Sequence, residues 1–144
     1  MIIVELAGTP VGKGRPRFAR VSGRAYTPEK TRNFETNLLL AAQDVMAGRA
    51  PIEGAVSVRV EAFFAVPASW SAKKRAAAML NVVRPTGRPD IDNLIKVLDA
   101  FNGIIWRDDA QVVEGAISKH YSDRPRLRIE VNAITVRLEP DVVR

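Results

Sequence analysis

Every second residue from Val56 to Val66 is apolar, and this pattern constrains the fold more than any other part of the chain. One face carries Val58, Val60, Ala62, Phe64 and Val66, and the other carries Ser57, Arg59 and Glu61. A period of two is typical of a strand with one buried face, and Pro67 ends it because proline has no amide hydrogen for a sheet ladder. The rest of the chain must therefore supply a layer that covers the apolar face.

Helical periodicity on both sides of this strand supplies that layer. Thr27 followed by Pro28 is a typical helix start, because threonine can cap and proline tolerates the first helical position. Apolar residues then recur at helical spacing, and Gly48 ends the pattern; they are Phe34, Leu38, Ala41 and Val45. A short helix is predicted for "SWSAKKRAAAML". A further one begins near Asp92 and ends at Asn102-Gly103, with an apolar face formed by Leu94, Val97, Leu98 and Phe101.

Three further strands are predicted. One opens the chain with Ile2, Val4 and Leu6 inward, one follows the polar turn "RDD", and the last alternates Leu127, Ile129 and Val131. Its apolar phase then shifts, which predicts a bulge near Asn132-Ala133. Between the first strand and the first helix lies a basic loop rich in glycine and proline, with a ragged hairpin. The order of elements predicts one α+β domain over residues 1–144, with two main helices packed on a mixed sheet of about four strands.

Composition restricts the chemistry. The chain has no cysteine and one histidine, so a catalytic metal would be held by carboxylates, which favours Mg²⁺ or Mn²⁺. The net charge of +6 and the isoelectric point of about 10.2 favour a polyanionic partner. No apolar stretch is long enough to span a membrane, and the N-terminus lacks a basic leader. We therefore expect a soluble protein that is not exported and acts in the cytoplasm.

Two aspartates stand close together in "RPDIDNLIK". Asp90 and Asp92 are two residues apart at a helix entry, and Lys96 lies one turn beyond Asp92 on the same face. An ordinary explanation is helix capping, which is worth about 0.3 to 1 kcal/mol for a charge near the N-terminus. Two carboxylates about 4 Å apart repel by roughly 4 kcal/mol at an effective dielectric of 20, so capping does not account for the pair. A divalent cation would reverse that balance.

A third acid is available in "WRDDAQV", where Asp108 and Asp109 stand in a turn. Spacing alone does not show whether either one approaches Asp90 and Asp92. From the residues themselves, a metal site and a solvated polar turn both stay open.

The run "RPDIDNLIKVLDAFNGIIWRDDAQV" resembles the signature of RusA-family Holliday junction resolvases: an aspartate pair in D-x-D-N-L-x-K, an apolar helix, then W-x-D-D-A-Q-V. Upstream, "GKGRPRF" and "YTPEKTRNFE" resemble the phage and prophage branch of that family. The resemblance covers most of the chain. It implies a Mg²⁺-dependent endonuclease that resolves branched DNA by paired symmetric nicks in recombination and repair, working as a two-fold homodimer.

The resemblance also assigns residues. It implies that the metal-binding catalytic acids are Asp90, Asp92 and Asp109, and it gives Lys96 an essential supporting role. Asp109 is chosen because the third acid of the family directly precedes A-Q-V. Asp108 is then expected to shape the turn or to support the site from outside.

Asn93 belongs to the same motif and is expected to orient an acid or cap the helix. One departure concerns the segment before the aspartate pair. The best-known branch of the family has a run of arginines there, whereas Arg84 and Arg88 alternate here with proline and glycine. The strength of junction binding at this rim is therefore open.

A basic surface for DNA is predicted from the loop residues Lys13, Arg15, Arg17, Arg20 and Arg24, together with Arg84 and Arg88 at the rim. An ordinary solvated loop is the alternative. Two rival functions also stay open: a catalytically inactive DNA-binding module, and a nuclease that acts on forks or flaps.

Five other residues receive simpler expectations. His120 is interpreted as structural or incidental, and Trp106 as a core residue. Phe63, Trp70 and Met79 are candidate interface residues, although core packing is the commoner explanation for such side chains.

Overall fold

The computed structural model describes residues 1–13, 17–18, 23–26 and 29–135. The strands are β1 (Ile2–Ala7), β2 (Arg17–Phe18), β3 (Ala25–Tyr26), β4 (Val56–Ala65), β5 (Val112–Ser122) and β6 (Arg126–Ala133). The helices are α1 (Glu29–Met46), α2 (Ala72–Met79) and α3 (Ile91–Ile95). A 3₁₀ helix, Lys96–Phe101, continues α3, and a 3₁₀ turn, Asp109–Gln111, precedes β5.

The main sheet has four strands in the order β1-β6-β4-β5. β4 pairs in parallel with β5, and the other two pairings are antiparallel, so the sheet is mixed as predicted. β2 and β3 form the expected ragged hairpin. The α+β fold class is confirmed.

One face of the sheet forms the core. Val4 of β1, Val60 of β4 and Ile129 of β6 are almost completely buried, and α1 packs against β1 through Leu38. The 3₁₀ helix packs against α1 and adds Val97 and Phe101 to the same core. The apolar residues of the strands and of the helices therefore form one buried layer. In the part of the chain that the structure describes, no helix is long and apolar enough to cross a membrane.

Two details differ from the sequence predictions. β6 stays in register with β4 through Ala133, so the bulge predicted near Asn132-Ala133 is wrong; the irregularity lies between Val56 and Ser57, where β4 meets β5. The phase shift marks the end of β6, whose next residue, Ile134, donates its backbone N–H to Ala55. The third helix begins at Ile91 and tightens to 3₁₀ geometry after Ile95. The predicted start of α1 at Thr27-Pro28 lies outside the described residues.

Candidate active site

The turn that carries Asp108 and Asp109 lies at one edge of the sheet. β4 and β5 are parallel, so both strands begin at this edge, where Val56 is paired with Val112. The segment before β4 runs beside the segment before the turn, and Ile52 donates its backbone N–H to Ile105 at 2.8 Å. The segment before β4 therefore supports the acidic turn.

Gln111 fastens this turn through both ends of its side chain. Its Nε2 donates to the carbonyl oxygens of Ile52 and Gly54 at 2.8 and 2.9 Å. Its Oε1 accepts from the backbone N–H groups of Arg107 and Asp108 at 2.8 and 3.1 Å. The sequence alone does not predict this role of Gln111, because nothing local shows that its partners include residues 52 and 54.

The two adjacent aspartates of the turn have different environments. Asp108 caps the 3₁₀ turn by accepting from the backbone N–H of Ala110 at 3.3 Å, and it forms a capping box with Gln111. Hydrogen bonding to Asp109 and to that backbone N–H lowers the pKa of Asp108. Asp109 makes no such cap. The neighbouring carboxylates of Asp108 and Asp99 raise the pKa of Asp109.

The aspartate pair lies at the start of α3. Asp90 occupies the N-cap position, but its side chain makes no capping hydrogen bond. Asp92 is exposed in the first turn, and its Oδ2 lies 3.9 Å from the Nζ of Lys96. That separation agrees with the predicted shared face. Capping, the ordinary explanation for an aspartate here, does not engage the Asp90 carboxylate.

Asn93 lies inside α3, so it is not the helix cap. Its backbone carbonyl oxygen accepts from the N–H of Lys13 at 2.9 Å. Gly12 packs against the same segment: a Cβ at Gly12 would lie 2.7 Å from the Cβ of Pro89 and 3.0 Å from that of Asn93. Only glycine permits this approach. The start of the basic loop therefore lies directly on the segment that carries Asp90 and Asp92.

Asp99 is a further candidate site residue, which was not predicted from the sequence. It lies on the 3₁₀ helix, which contacts the 3₁₀ turn, and its carboxylate interacts with that of Asp109. On its other side, Oδ2 accepts from Lys13 Nζ at 3.0 Å. Asp99 follows Lys96 by three residues within the quoted motif, and this position on the same helical segment was the available signal.

The predicted basic surface is only partly described. Arg15 and Arg20 lie outside the described residues, Arg17 lies on β2, and Arg24 is exposed. Lys13 contacts acidic side chains of the protein itself.

The two rim arginines, Arg84 and Arg88, are exposed. Arg84 Nε donates to the carbonyl oxygen of Lys119 at 2.8 Å, and Lys119 Nζ donates to the carbonyl oxygen of Gly87. These contacts hold the segment before Asp90 across β5.

The remaining candidate residues differ in their burial and contacts. Trp106 is fully buried and donates from Nε1 to Asn102 Oδ1 at 2.7 Å, which confirms a core role. His120 stacks on Phe63 with ring centroids 5.2 Å apart. Trp70 contacts Tyr121 edge to face, at the surface.

Met79 is half exposed and is followed by Leu80 and Val82, which are 76% and 75% exposed. Neither Phe63, Trp70 nor Met79 belongs to the buried core. Phe63 and Trp70 instead pack against His120 and Tyr121, and Met79 is left half exposed.

The donor chemistry of this region fits a hard divalent cation. The candidate ligands Asp90, Asp92 and Asp109 are carboxylates, which such an ion prefers. α3 contacts β5, the strand that follows the acidic turn. Among the residues that the structure describes, no three acidic, histidine or cysteine side chains are grouped so that they could hold a metal ion, so Asp90, Asp92 and Asp109 are not brought together as a formed site. All three candidate acids are exposed, so their side chains can rotate. The carboxylates of Asp99 and Asp108 repel that of Asp109, and a bound cation would relieve this repulsion.

Comparison with known proteins identifies the family of this chain. The family model "Endodeoxyribonuclease RusA" matches residues 7–132. The chain therefore belongs to the RusA family, and this membership indicates endodeoxyribonuclease activity. The chain is 36% identical over 133 residues to the uncharacterized protein YqaN of Bacillus subtilis (strain 168). The alignment covers 89% of this chain and 93% of that protein.

Proposed function

We propose that this protein is a Mg²⁺-dependent crossover junction endodeoxyribonuclease that resolves four-way DNA junctions in recombination and repair. The observation that carries the proposal is the contact of the 3₁₀ turn at Asp109 with the 3₁₀ helix that bears Lys96 and Asp99 and continues α3, on which Asp92 lies. Mn²⁺ is an alternative ion of suitable hardness. A substrate that is cellular DNA implies action in the cytoplasm.

Phosphodiester hydrolysis needs an activated water and stabilisation of the charge that builds on the phosphate. A divalent ion held by Asp90, Asp92 and Asp109 would supply both. Lys96 contributes a cation one helical turn from Asp92 and can neutralise phosphate charge or assist proton movement.

The residues around these acids hold them in place. Gln111 and the Asp108 cap fix the backbone on either side of Asp109. Asn93 and Pro89 receive the start of the basic loop at Gly12, so DNA bound by this loop would pass close to the acids. This arrangement matches what a nuclease requires, a cationic approach surface next to an acidic cutting site.

Symmetric resolution requires two nicks, and we propose that a two-fold homodimer supplies the two active sites. The exposed end of α2 supports this part of the proposal. Met79, Leu80 and Val82 form a cluster of exposed apolar side chains there. A contiguous patch of exposed apolar side chains is typical of a protein interface.

A cleavage assay on matched substrates tests the proposal. Purified protein is incubated with a synthetic four-way junction, a fork, a flap, a linear duplex and a single strand, each with Mg²⁺ and with EDTA. We expect Mg²⁺-dependent paired nicks in the junction and little cutting of the linear DNAs. Faster cutting of the fork or flap would identify the rival nuclease function, and DNA binding without cutting would identify an inactive binding module.

A further inference from the structure

Lys13 opens the basic loop, yet its ammonium group faces acidic side chains of the protein. Its Nζ lies 3.0 Å from Asp99 Oδ2 and 3.6 Å from Glu35 Oε1, and the side chain is 33% exposed. A lysine that binds phosphate as a flexible point charge usually extends into water. Lys13 instead forms intramolecular ion pairs with acidic side chains of the fold.

The two acidic partners of Lys13 belong to different elements. Glu35 lies on α1, and Asp99 lies on the 3₁₀ helix that follows α3. Glu35 Oε1 is inaccessible to solvent and has no hydrogen-bond partner among the described residues, so the Lys13 ammonium group is the cation that compensates it. An uncompensated buried carboxylate oxygen is costly. Both acids therefore fix where the ammonium group lies.

The backbone around Lys13 is fixed as well. Its N–H donates to Asn93 at 2.9 Å, and Gly12 packs against Pro89 and Asn93. Residues 12 and 13 are thus held on the acid-bearing segment by a hydrogen bond, an ion pair and close packing. Asp99, the partner of Lys13, lies on the 3₁₀ helix that contacts the 3₁₀ turn carrying Asp109.

We propose that Lys13 is a positioning residue: it fixes Asp99 beside Asp109 and anchors the basic loop at the acidic site, and it is not a phosphate contact. This inference rests on the proposed function, since Asp109 matters only where phosphodiesters are cut. It revises the prediction that Lys13 belongs to the DNA-binding surface.

The test compares Lys13→Met, which keeps the length of the side chain but removes its charge, with Lys13→Arg, which keeps the charge. Lys73→Met on the exposed face of α2 is the matched control. Two quantities are measured for each variant: the single-turnover cleavage rate at saturating enzyme, and the salt dependence of junction binding in EDTA. Each phosphate contact contributes about 0.9 to the slope of log affinity against log salt concentration.

We expect Lys13→Met to cut the junction at least about tenfold more slowly at saturating enzyme, which is the loss typical of a residue that supports a site. The salt dependence of its junction binding should be unchanged. Lys13→Arg should keep most of the rate, and Lys73→Met all of it. A salt slope reduced by about one phosphate contact would overturn the inference, and so would unchanged cleavage by Lys13→Met.

Asp99→Asn provides a second arm if Lys13→Met does not fold. We expect it to reduce the cleavage rate to a similar extent, and the double variant to be no slower than the slower single variant. Additive losses would contradict the inference. If the wild-type protein cuts no branched DNA, the proposed function fails by itself, and the salt slope of Lys13→Met still decides whether Lys13 contacts phosphate.

Discussion

The side-chain amide of Gln111 donates to the carbonyl oxygen of Ile52 at 2.8 Å, which joins the acidic turn before β5 to the segment before β4. A second hydrogen bond reaches Gly54 at 2.9 Å. These two bonds cross from one loop to another, so they determine where Asp109 lies relative to the sheet.

Gln111→Ala removes these bonds and leaves two carbonyl oxygens without their partner. We expect the free energy of unfolding to fall by about 1 to 3 kcal/mol. The cleavage rate should fall by roughly 10- to 100-fold, because Asp109 loses its support. Urea unfolding and single-turnover cleavage measure the two effects. Gln43→Ala, at an exposed position of α1, is the control, and equal behaviour of the two variants would argue against this role for Gln111.

Asp90→Asn and Asp92→Asn each remove one charge from the pair at the start of α3. We expect either change to reduce cleavage by at least about a thousand-fold, because a metal-binding acid is lost, while junction binding is largely retained. Cleavage rates and gel-shift affinities are compared with those of Asp44→Asn, an exposed acid on α1. Full activity in either variant of the pair would remove that residue from the proposed site.

His120 gives a pH dependence of stability that is separate from catalysis. Partial burial and the nearby Arg84 guanidinium lower the pKa of His120 below its ordinary value, and Glu61 opposes this shift. The folded protein therefore takes up a proton at His120 at lower pH than the unfolded chain does. Stability from this residue is present above about pH 6.5 and is lost as the pH falls through the folded pKa.

Unfolding free energies at about pH 7.5 and about pH 5.5 test this effect against a His120→Asn variant. We expect the variant to lose less stability between the two pH values than the wild-type protein. An equal loss in both proteins would show that other groups account for the pH dependence.

Leu80→Glu combined with Val82→Glu places two charges on the exposed end of α2. We expect the wild-type protein to be a dimer and this variant to be a monomer, because carboxylates are costly to bury in an apolar interface. Sedimentation equilibrium measures both masses. Leu40→Glu changes a comparably exposed leucine on α1 and should leave the dimer intact. A wild-type monomer, or a dimer that survives the double change, would exclude this interface.

Local periodicity was enough to predict much of the fold. The alternation from Val56 predicted β4, and the spacing from Phe34 to Val45 predicted α1, because each pattern reports which face is buried. The same reasoning failed beyond Ala133, where an apolar phase shift was interpreted as a bulge although the strand ends there.

The candidate site depends on contacts that no local pattern encodes. Lys13 and Asp99 are 86 residues apart, and Gln111 and Ile52 are 59 apart, so both contacts follow from tertiary packing alone. The aspartate pair and its lysine could be predicted, since they lie within two turns of one segment. The choice of Asp109 over Asp108 came from the family resemblance, and the Asp108 cap now gives a physical reason to separate the two roles.

The most direct test of the central claim compares Asp109→Asn with Asp108→Asn on a four-way junction with Mg²⁺. Asparagine caps a helix about as well as aspartate, so Asp108→Asn should keep the turn and most of the activity. Asp109→Asn should bind the junction normally but cut it at least about a thousand-fold more slowly in single-turnover measurements. A fully active Asp109→Asn variant, or equal loss in both variants, would contradict an active site built on Asp109.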